Sequence, residues 1–194
     1  MRSCLNPDEQ RTLLCLARAS IQQTIRRDQA LTKLLEQTQL TPGLREPRGA
    51  FVSLKQPPKE GQRTESLRGC IGRMVSQEAL YRTVIDLASK AAFDDPRFSP
   101  LVADELRRVR IEISALTPAR PLGHADDLVL GRDGVNLSKG AASAVFLPQV
   151  ALEHGWTVEV LLAQLALKAG LSQDGWREAD LSVFSAEVFR EPDR

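Results

Sequence analysis

Leu67-Arg68-Gly69-Cys70-Ile71-Gly72 is the stretch around which the other elements of this chain are arranged. Taken as a strand, its period-two alternation places Arg68 and Cys70 on one face and Leu67 and Ile71 on the other. Two glycines within six residues weaken a strand. They usually mark a bulge or the close approach of a ligand or another backbone.

Cys70 has two interpretations that the residues leave open. With Arg68 on the same predicted face, a cation near the sulfur favours the thiolate, which is the reactive form of cysteine. Alternatively, Cys70 is a core residue, since cysteine is among the most buried residue types. In that case Gly69 and Gly72 only allow a helix to pack tightly on the sheet.

The composition indicates a globular protein without a strong electrostatic field. Across 194 residues, 42% are hydrophobic and 26% are charged, which suits one domain over residues 1–194 with a sizeable core. The 26 basic and 25 acidic residues nearly cancel and only 5% of residues are aromatic, so we expect no nucleic-acid partner. No apolar run approaches the length of a membrane span, and the start lacks a secretory signal. We expect a cytoplasmic protein with no membrane partner.

Cysteine and histidine are too few and too scattered to predict a disulfide framework or a zinc site. Cys4, Cys15 and Cys70 are odd in number and widely spaced, which favours a reducing compartment. Only His124 and His154 accompany them, and no zinc-ligand spacing appears. No cofactor and no metal are predicted, although a site of carboxylates from distant positions stays open. No serine–histidine–aspartate order and no phosphate-binding glycine loop appear.

Capping residues and apolar periodicity predict alternating helices and strands. Asn6 and Pro7 begin a helix that runs to about Gln37, where the polar residues 26–29 allow a break and Thr41-Pro42-Gly43 ends it. The later predicted elements are strands over 50–55 and 67–72 joined by a loop, a helix capped by Ser76, a short helix from Ser99-Pro100 to Arg107, strands over 109–115, 128–130, 134–137 and 144–147 with a turn at 132–134, a helix from Thr157 to Gly170, and a strand over 181–189.

The order of these elements predicts an α+β fold in which helices pack on a largely antiparallel sheet. Both halves run strand, strand, helix, strand, which predicts two lobes; either an internal duplication or the chance likeness of short α/β segments accounts for the repeated order. We expect the seam between the lobes near residues 118–127. A parallel doubly wound sheet would contradict this prediction.

Three further side chains are candidates for chemistry or binding. Glu112 lies mid-strand on the polar face, so it is either a general base or an exposed or arginine-paired carboxylate. Asp95 and Arg97 lie in a proline turn, where an aspartate commonly binds backbone amides. We expect Cys70 at or near a cleft, with Arg68 on its strand face and Glu112 or Arg97 within reach.

Six more segments accompany the opening stretch in order along the chain: Gly49-Ala50-Phe51-Val52, Asp95-Pro96-Arg97-Phe98, Glu112-Ile113-Ser114, Phe146-Leu147-Pro148-Gln149-Val150, Trp156 and Lys168-Ala169-Gly170-Leu171. Together they resemble the AMMECR family, also called AmmeMemoRadiSam system protein A, over most of the chain. Asp133-Gly134 stands where the family usually carries His-Gly, and the segment 139–143 is atypically small. A role for that histidine is therefore not carried over.

The resemblance implies a two-lobed, largely antiparallel α+β fold with a groove that contains the glycine–cysteine segment. It also implies a Memo-type protein and a radical SAM enzyme as partners, because similar proteins are encoded beside them or fused to them. The candidate binding residues are Arg68, Gly69, Gly72, Asp95 and Arg97. We predict a partner or substrate-presenting module in a radical-SAM- and Memo-associated modification pathway, with a small molecule or peptide in the groove.

The alternative function is a stand-alone thiol-dependent enzyme. In it, Cys70 is the catalytic nucleophile and Glu112 the base. No histidine is placed by the sequence to activate the thiol, which favours the module.

Overall fold

A computed structural model describes residues 4–58 and 64–192, and it confirms the predicted α+β class with antiparallel strands. The predicted loop between the first two strands lies partly outside the described residues. The elements in chain order are α1 (Pro7–Arg26), α2 (Ala30–Gln37), α3 (Pro42–Arg45), β1 (Ala50–Gln56), β2 (Ser66–Arg73), α4 (Leu80–Phe93), α5 (Ala103–Leu106), β3 (Arg110–Leu116), β4 (Arg120–Pro121), β5 (Asp133–Lys139), β6 (Ala142–Phe146), α6 (Pro148–His154), α7 (Val158–Lys168) and β7 (Asp180–Arg190). None of the described helices is long and apolar enough to cross a membrane.

The chain divides into two compact units. Unit 1 contains the residues up to Ala115 and those from Glu187 onward, and unit 2 contains Leu116–Ala186. Strand β7 therefore contributes residues to both units.

Unit 1 is built on the antiparallel strands β2, β1 and β3, with β1 in the centre. Ala50, Val52 and Leu54 of β1 are fully buried, in one apolar cluster with Ile111 and Ile113 of β3. The same cluster contains the apolar stripes of α1 and α4. One face of these strands is thus the core, and the alternate residues form the opposite face, which we call the outer face: Phe51, Ser53, Lys55, Cys70, Gly72, Arg110, Glu112 and Ser114.

The first predicted helix begins where expected and ends earlier. The Asn6 side chain accepts hydrogen bonds from amides of the first turn, and the Asn6 amide donates one to the Glu9 carboxylate. Helix α1 ends at Arg26, because Arg27 adopts the left-handed conformation with a φ of 53°. Helix α2 is therefore a separate helix. Thr41 does not end a helix as predicted, because its side chain accepts from Leu44 N–H and begins α3.

Two other helix starts in unit 1 were also predicted too early. Ser76 is buried and bonds to the Glu78 amide and the Thr83 hydroxyl, and α4 begins only after Ala79. The short helix expected from Ser99 is limited to α5. Side-chain hydrogen bonding of a serine makes a turn as readily as a helix cap, which is why the pattern misplaced the start at Ser76.

Unit 2 contains the antiparallel strands β4, β7, β5 and β6 over a second apolar cluster. Thr157 caps α7 as predicted, and Gly170 follows it with a φ of 79°. Residues 128–130 are not a strand, and the predicted turn at 132–134 contains the first residues of β5. Pro148 opens α6, a helix that the sequence analysis missed, because proline suits the first helical position as well as a strand end.

Candidate functional site

Cys70, Ser53 and Glu112 form a row across the outer face. Ser53 of β1 pairs with Cys70 of β2 on one side and with Glu112 of β3 on the other. Directly opposed residues of antiparallel strands point to the same face. All three side chains are partly accessible, so a thiol, a hydroxyl and a carboxylate lie side by side on one half-exposed surface.

The Ser53 hydroxyl donates a hydrogen bond to the Cys70 sulfur, with Oγ and Sγ 3.2 Å apart. This contact holds the sulfur against β1 on the outer face. Glu112 lies on the far side of Ser53. With about 4.8 Å between neighbouring strands, the Cys70 and Glu112 backbones are about 9.5 Å apart.

The backbone of Cys70 is held by the Asp95–Arg97 turn. The Cys70 amide donates to Asp95 Oδ2 at 2.8 Å, and Arg97 Nη2 donates to the Cys70 carbonyl at 3.1 Å. Because β2 is the edge strand of unit 1, these two groups face away from β1 and need partners of this kind. Arg97 thus contacts the Cys70 backbone, and the Cys70 side chain adds to the raised pKa of Arg97 that Asp95 chiefly causes.

Asp95 is a buried carboxylate that stays ionised. Only 3% of the residue is exposed. Hydrogen bonds from the Arg97 guanidinium hold the pKa of Asp95 far below its ordinary value; burial opposes this shift, and the Cys70 amide adds to it. The Arg97 side chain is 55% exposed and also lies against the Phe98 ring, so one of its faces is open to solvent.

Arg68 is engaged away from the thiol. Its guanidinium makes two 2.8 Å hydrogen bonds to the Glu105 carboxylate and one of 2.9 Å to the Ser99 carbonyl. Arg68 is the chief cause of a lowered pKa of Glu105. Within the described residues, no hydrogen bond joins Arg68 to Cys70, so the predicted effect of this cation on the sulfur stays a prediction.

The register explains why simple alternation is unsafe at Arg68. Gly69 pairs with Leu54 while Leu67 pairs with Lys55, which leaves Arg68 as an extra residue in a β-bulge. Bulges re-aim side chains and break the period of two.

The two glycines of the stretch serve packing on opposite faces. A Cβ on Gly69 would lie 2.1 Å from the Ala91 carbonyl oxygen of α4. A Cβ on Gly72 would lie 2.1 Å from the Phe51 ring on the outer face. This agrees with the interpretation that glycine allows a helix to pack closely, and it gives each of the two residues a steric reason.

The charged residues of the outer face lie next to the row. Lys55 and Arg110 are paired positions one step along β1 and β3 from Ser53 and Glu112. Arg110 binds Glu65 at 2.8 Å. Lys55 has no ion pair within the described part of the chain. An ammonium group is thus available beside the thiol, the hydroxyl and the carboxylate, and such a surface suits a polar ligand.

Metal binding finds no support within residues 4–58 and 64–192. No three His, Cys, Asp or Glu side chains of these ranges are grouped to hold an ion. His124 and His154 both belong to unit 2. The predicted cleft at Cys70 and the predicted roles of the site residues stay predictions.

Ser53 and Glu105 are the site residues that the sequence analysis missed. Ser53 was within a predicted strand, and a pairing of 50–55 with 67–72 in the correct register would have put it opposite Cys70. Glu105 lies in α5 and reaches Arg68 across 37 positions of sequence. No local sequence pattern predicts an ion pair between residues so far apart in the chain.

Comparisons with known proteins place the chain among archaeal relatives. The AMMECR1 family model matches residues 14–189. Protein TK0174 of Thermococcus kodakarensis is 38% identical, covering 92% of this chain and 88% of its own, and a protein of Thermococcus onnurineus is 40% identical over the same shares. A crystal structure of the uncharacterized protein PH0010 from Pyrococcus horikoshii superposes with a TM-score of 0.76 at 33% identity, covering 92% of this chain and 89% of that one.

Proposed function

This chain belongs to the AMMECR1 family, and we propose that it is a binding module that presents a partner or substrate on its outer face. The proposed setting is a modification pathway with a Memo-type protein and a radical SAM enzyme, which rests on the resemblance of the motifs to the AmmeMemoRadiSam system. The proposed ligand is a small molecule or peptide that contacts Cys70, Ser53 and Glu112. Arg97 and the neighbouring glycines position this surface.

The observation that carries the proposal is the way in which Cys70 is held. Its amide, its carbonyl and its sulfur are each fixed by a different residue: Asp95, Arg97 and Ser53. A general base acts within about 2.6–3.2 Å of the proton that it removes. Within the described residues, the Ser53 hydroxyl and the Arg97 guanidinium lie against the sulfur, and no carboxylate or histidine binds it. This arrangement favours recognition by a rigid surface over turnover.

Co-purification tests the module. The tagged chain is expressed together with the Memo-type protein and the radical SAM enzyme of the same cell, and retention of each is measured. We expect retention by the wild type, loss with Glu112→Arg, weakening with Cys70→Ser, and no change with Cys15→Ser, which alters an exposed cysteine of α1. Equal retention by all four chains, or by none, would refute the proposal.

A second candidate function is the thiol-dependent enzyme, which the position of the partly exposed Cys70 beside the Arg97 guanidinium favours. In this alternative the thiolate of Cys70 attacks the substrate, and Glu112 acts as base on a water or on the Ser53 hydroxyl. Incubation of the isolated chain with metabolite mixtures from the same cell separates the two candidates. Turnover that Cys70→Ser abolishes and Cys15→Ser leaves intact would establish the enzyme.

A further inference from the structure

A second surface of unit 1 lies away from the outer face. A groove of about 680 Å³ is lined by side chains of α2 and α4, by Arg73 at the end of β2, and by Glu78 just before α4. Arg73 follows Ile71 by two positions, so alternation directs it to the helix-covered side of β2, opposite to Cys70 and Gly72. The groove is therefore separate from the candidate site described above. Its volume falls within the range of about 300–1,000 Å³ that is usual for small-molecule sites.

Two cations of the groove share one carboxylate oxygen. Arg73 Nη2 and Lys90 Nζ both donate to Asp86 Oδ2, the lysine at 3.0 Å. Glu78 approaches Arg73 only at 4.0 Å and is itself more than half exposed. The lining as a whole has three cations, Arg73, Arg82 and Lys90, and two carboxylates, Asp86 and Glu78, so the groove keeps one net positive charge.

Arg82 and Tyr81 extend this surplus of donors. Arg82 Nε donates to the Tyr81 hydroxyl at 2.9 Å, and this contact raises the pKa of Arg82. Because the hydroxyl accepts that bond, its own hydrogen is left to donate to another group. Within the described residues, Arg82 has no ion pair with a carboxylate. Its remaining N–H groups form a planar fork that suits carboxylate and phosphate oxygens.

Part of the lining of the groove is apolar. Leu31 and Leu35 of α2 and Ile85 of α4 line it, and each is only partly buried. Helix α2 contributes no fully buried residue. The groove thus combines a cationic, donor-rich end with an exposed hydrocarbon wall.

We propose that this groove binds a small anionic amphiphile. Its carboxylate or phosphate monoester is held by Arg82, Tyr81 and the Arg73–Lys90 pair, and its acyl or aromatic part lies along Leu31, Leu35 and Ile85. Charge complementarity selects the anion, and burial of the apolar part supplies further affinity. The carboxylate and the phosphate ester share this chemistry, and separate probes distinguish them.

Isothermal titration calorimetry with octanoate, octyl phosphate, octanol and inorganic phosphate tests the groove. The two anionic amphiphiles are used below their critical micelle concentrations. We expect saturable 1:1 binding of octanoate or octyl phosphate, and at least tenfold weaker binding of octanol and inorganic phosphate. The tighter of the two amphiphiles identifies the head group. Arg82→Glu should weaken binding at least tenfold, because it reverses the charge that attracts the anion. The variant should still fold, since Arg82 is exposed and lies outside the core.

Arg177→Glu is the matched control, since Arg177 is an exposed arginine that lies over the Trp176 ring in unit 2. It should bind the probes like the wild type, as should Cys70→Ser, which separates this groove from the proposed function. A wild type that binds neither amphiphile saturably overturns the proposal. So does an Arg82→Glu chain with a native circular dichroism spectrum and undiminished affinity.

Discussion

Asp95 and Ser53 are two single residues that each hold a different part of Cys70. Asp95 binds the backbone amide and is itself bound by the Arg97 guanidinium, so it joins the 95–97 turn to the edge strand β2. Ser53 binds the sulfur. The first contact concerns the stability of the fold, and the second concerns the reactivity of the thiol.

Ser53→Ala should slow alkylation of Cys70. Both the Ser53→Ala chain and its reference chain also contain Cys4→Ser and Cys15→Ser, so that Cys70 is the only thiol left to react. The variant loses the hydroxyl that holds the sulfur and with it a hydrogen bond worth about 1 kcal/mol, so we expect the rate of reaction with iodoacetamide at pH 7 to fall about fivefold. Ser114→Ala, on the same face but one row away, should leave the rate unchanged. An unchanged or faster reaction of Ser53→Ala would contradict this role.

Asp95→Asn should lower the free energy of unfolding by about 2–4 kcal/mol at pH 7, because charge-assisted hydrogen bonds to a buried carboxylate are lost. In the wild type, the pKa of Asp95 is lower in the folded than in the unfolded chain. The ionised carboxylate therefore stabilises the fold above about pH 4, and this contribution disappears as the pH falls below that value.

Urea denaturation between pH 7 and pH 2 measures both effects. The wild type should lose more stability over this range than Asp95→Asn does. Asp94→Asn is the matched control, since Asp94 is the exposed neighbour. A wild type and an Asp95→Asn chain with parallel pH profiles would exclude the proposed linkage.

Helix α4 packs closely against strand β2. Gly69 lies directly under the Ala91 carbonyl, so the helix approaches the strand more closely than any residue with a Cβ permits. Strand β2 also bears the bulge at Arg68 and the free edge that the 95–97 turn covers. The shape of this one strand is thus set by its neighbours on three sides.

Gly69→Ala should destabilise the chain by about 1–3 kcal/mol, because the added methyl group forces α4 away from β2. Gly123→Ala provides the comparison, since a Cβ there meets nothing closer than 3.6 Å. Thermal unfolding followed by circular dichroism measures both variants. A melting temperature for Gly69→Ala equal to that of Gly123→Ala would show that the contact yields without cost.

Two apolar clusters stabilise the whole molecule, one in each unit. The cluster of unit 1 collects α1, α4, β1 and β3, and the cluster of unit 2 collects α7, β5 and Val183 of β7. Each unit therefore has a core of its own.

Leu162→Ala should cost about 2–5 kcal/mol, since Leu162 is completely buried in the core of unit 2. Leu167→Ala, on the same helix but 48% exposed, should cost less than about 1 kcal/mol. Chemical denaturation of the two variants gives the comparison. Equal losses would mean that α7 does not contribute its buried face to this core.

Local patterns in the sequence determined the α+β class, most strands and the faces of the main helices. Burial of apolar residues at a period of two or 3.6 is a local property, and the buried stripes of β1, β3 and α4 follow it. Capping chemistry was equally legible at Asn6 and Thr157. It failed at Ser76 and Pro148, where one residue type serves both a turn and a helix start.

The tertiary structure alone decided the contacts of the candidate site. The sequence indicated Cys70, Asp95 and Arg97 as candidates, but a bulge and a strand register determined which atoms of Cys70 they contact. The tertiary structure also pairs Arg68 with Glu105 and places Ser53 between Cys70 and Glu112. Pairing across strands and long loops depends on the total packing free energy of distant segments, and no short stretch of sequence contains that information.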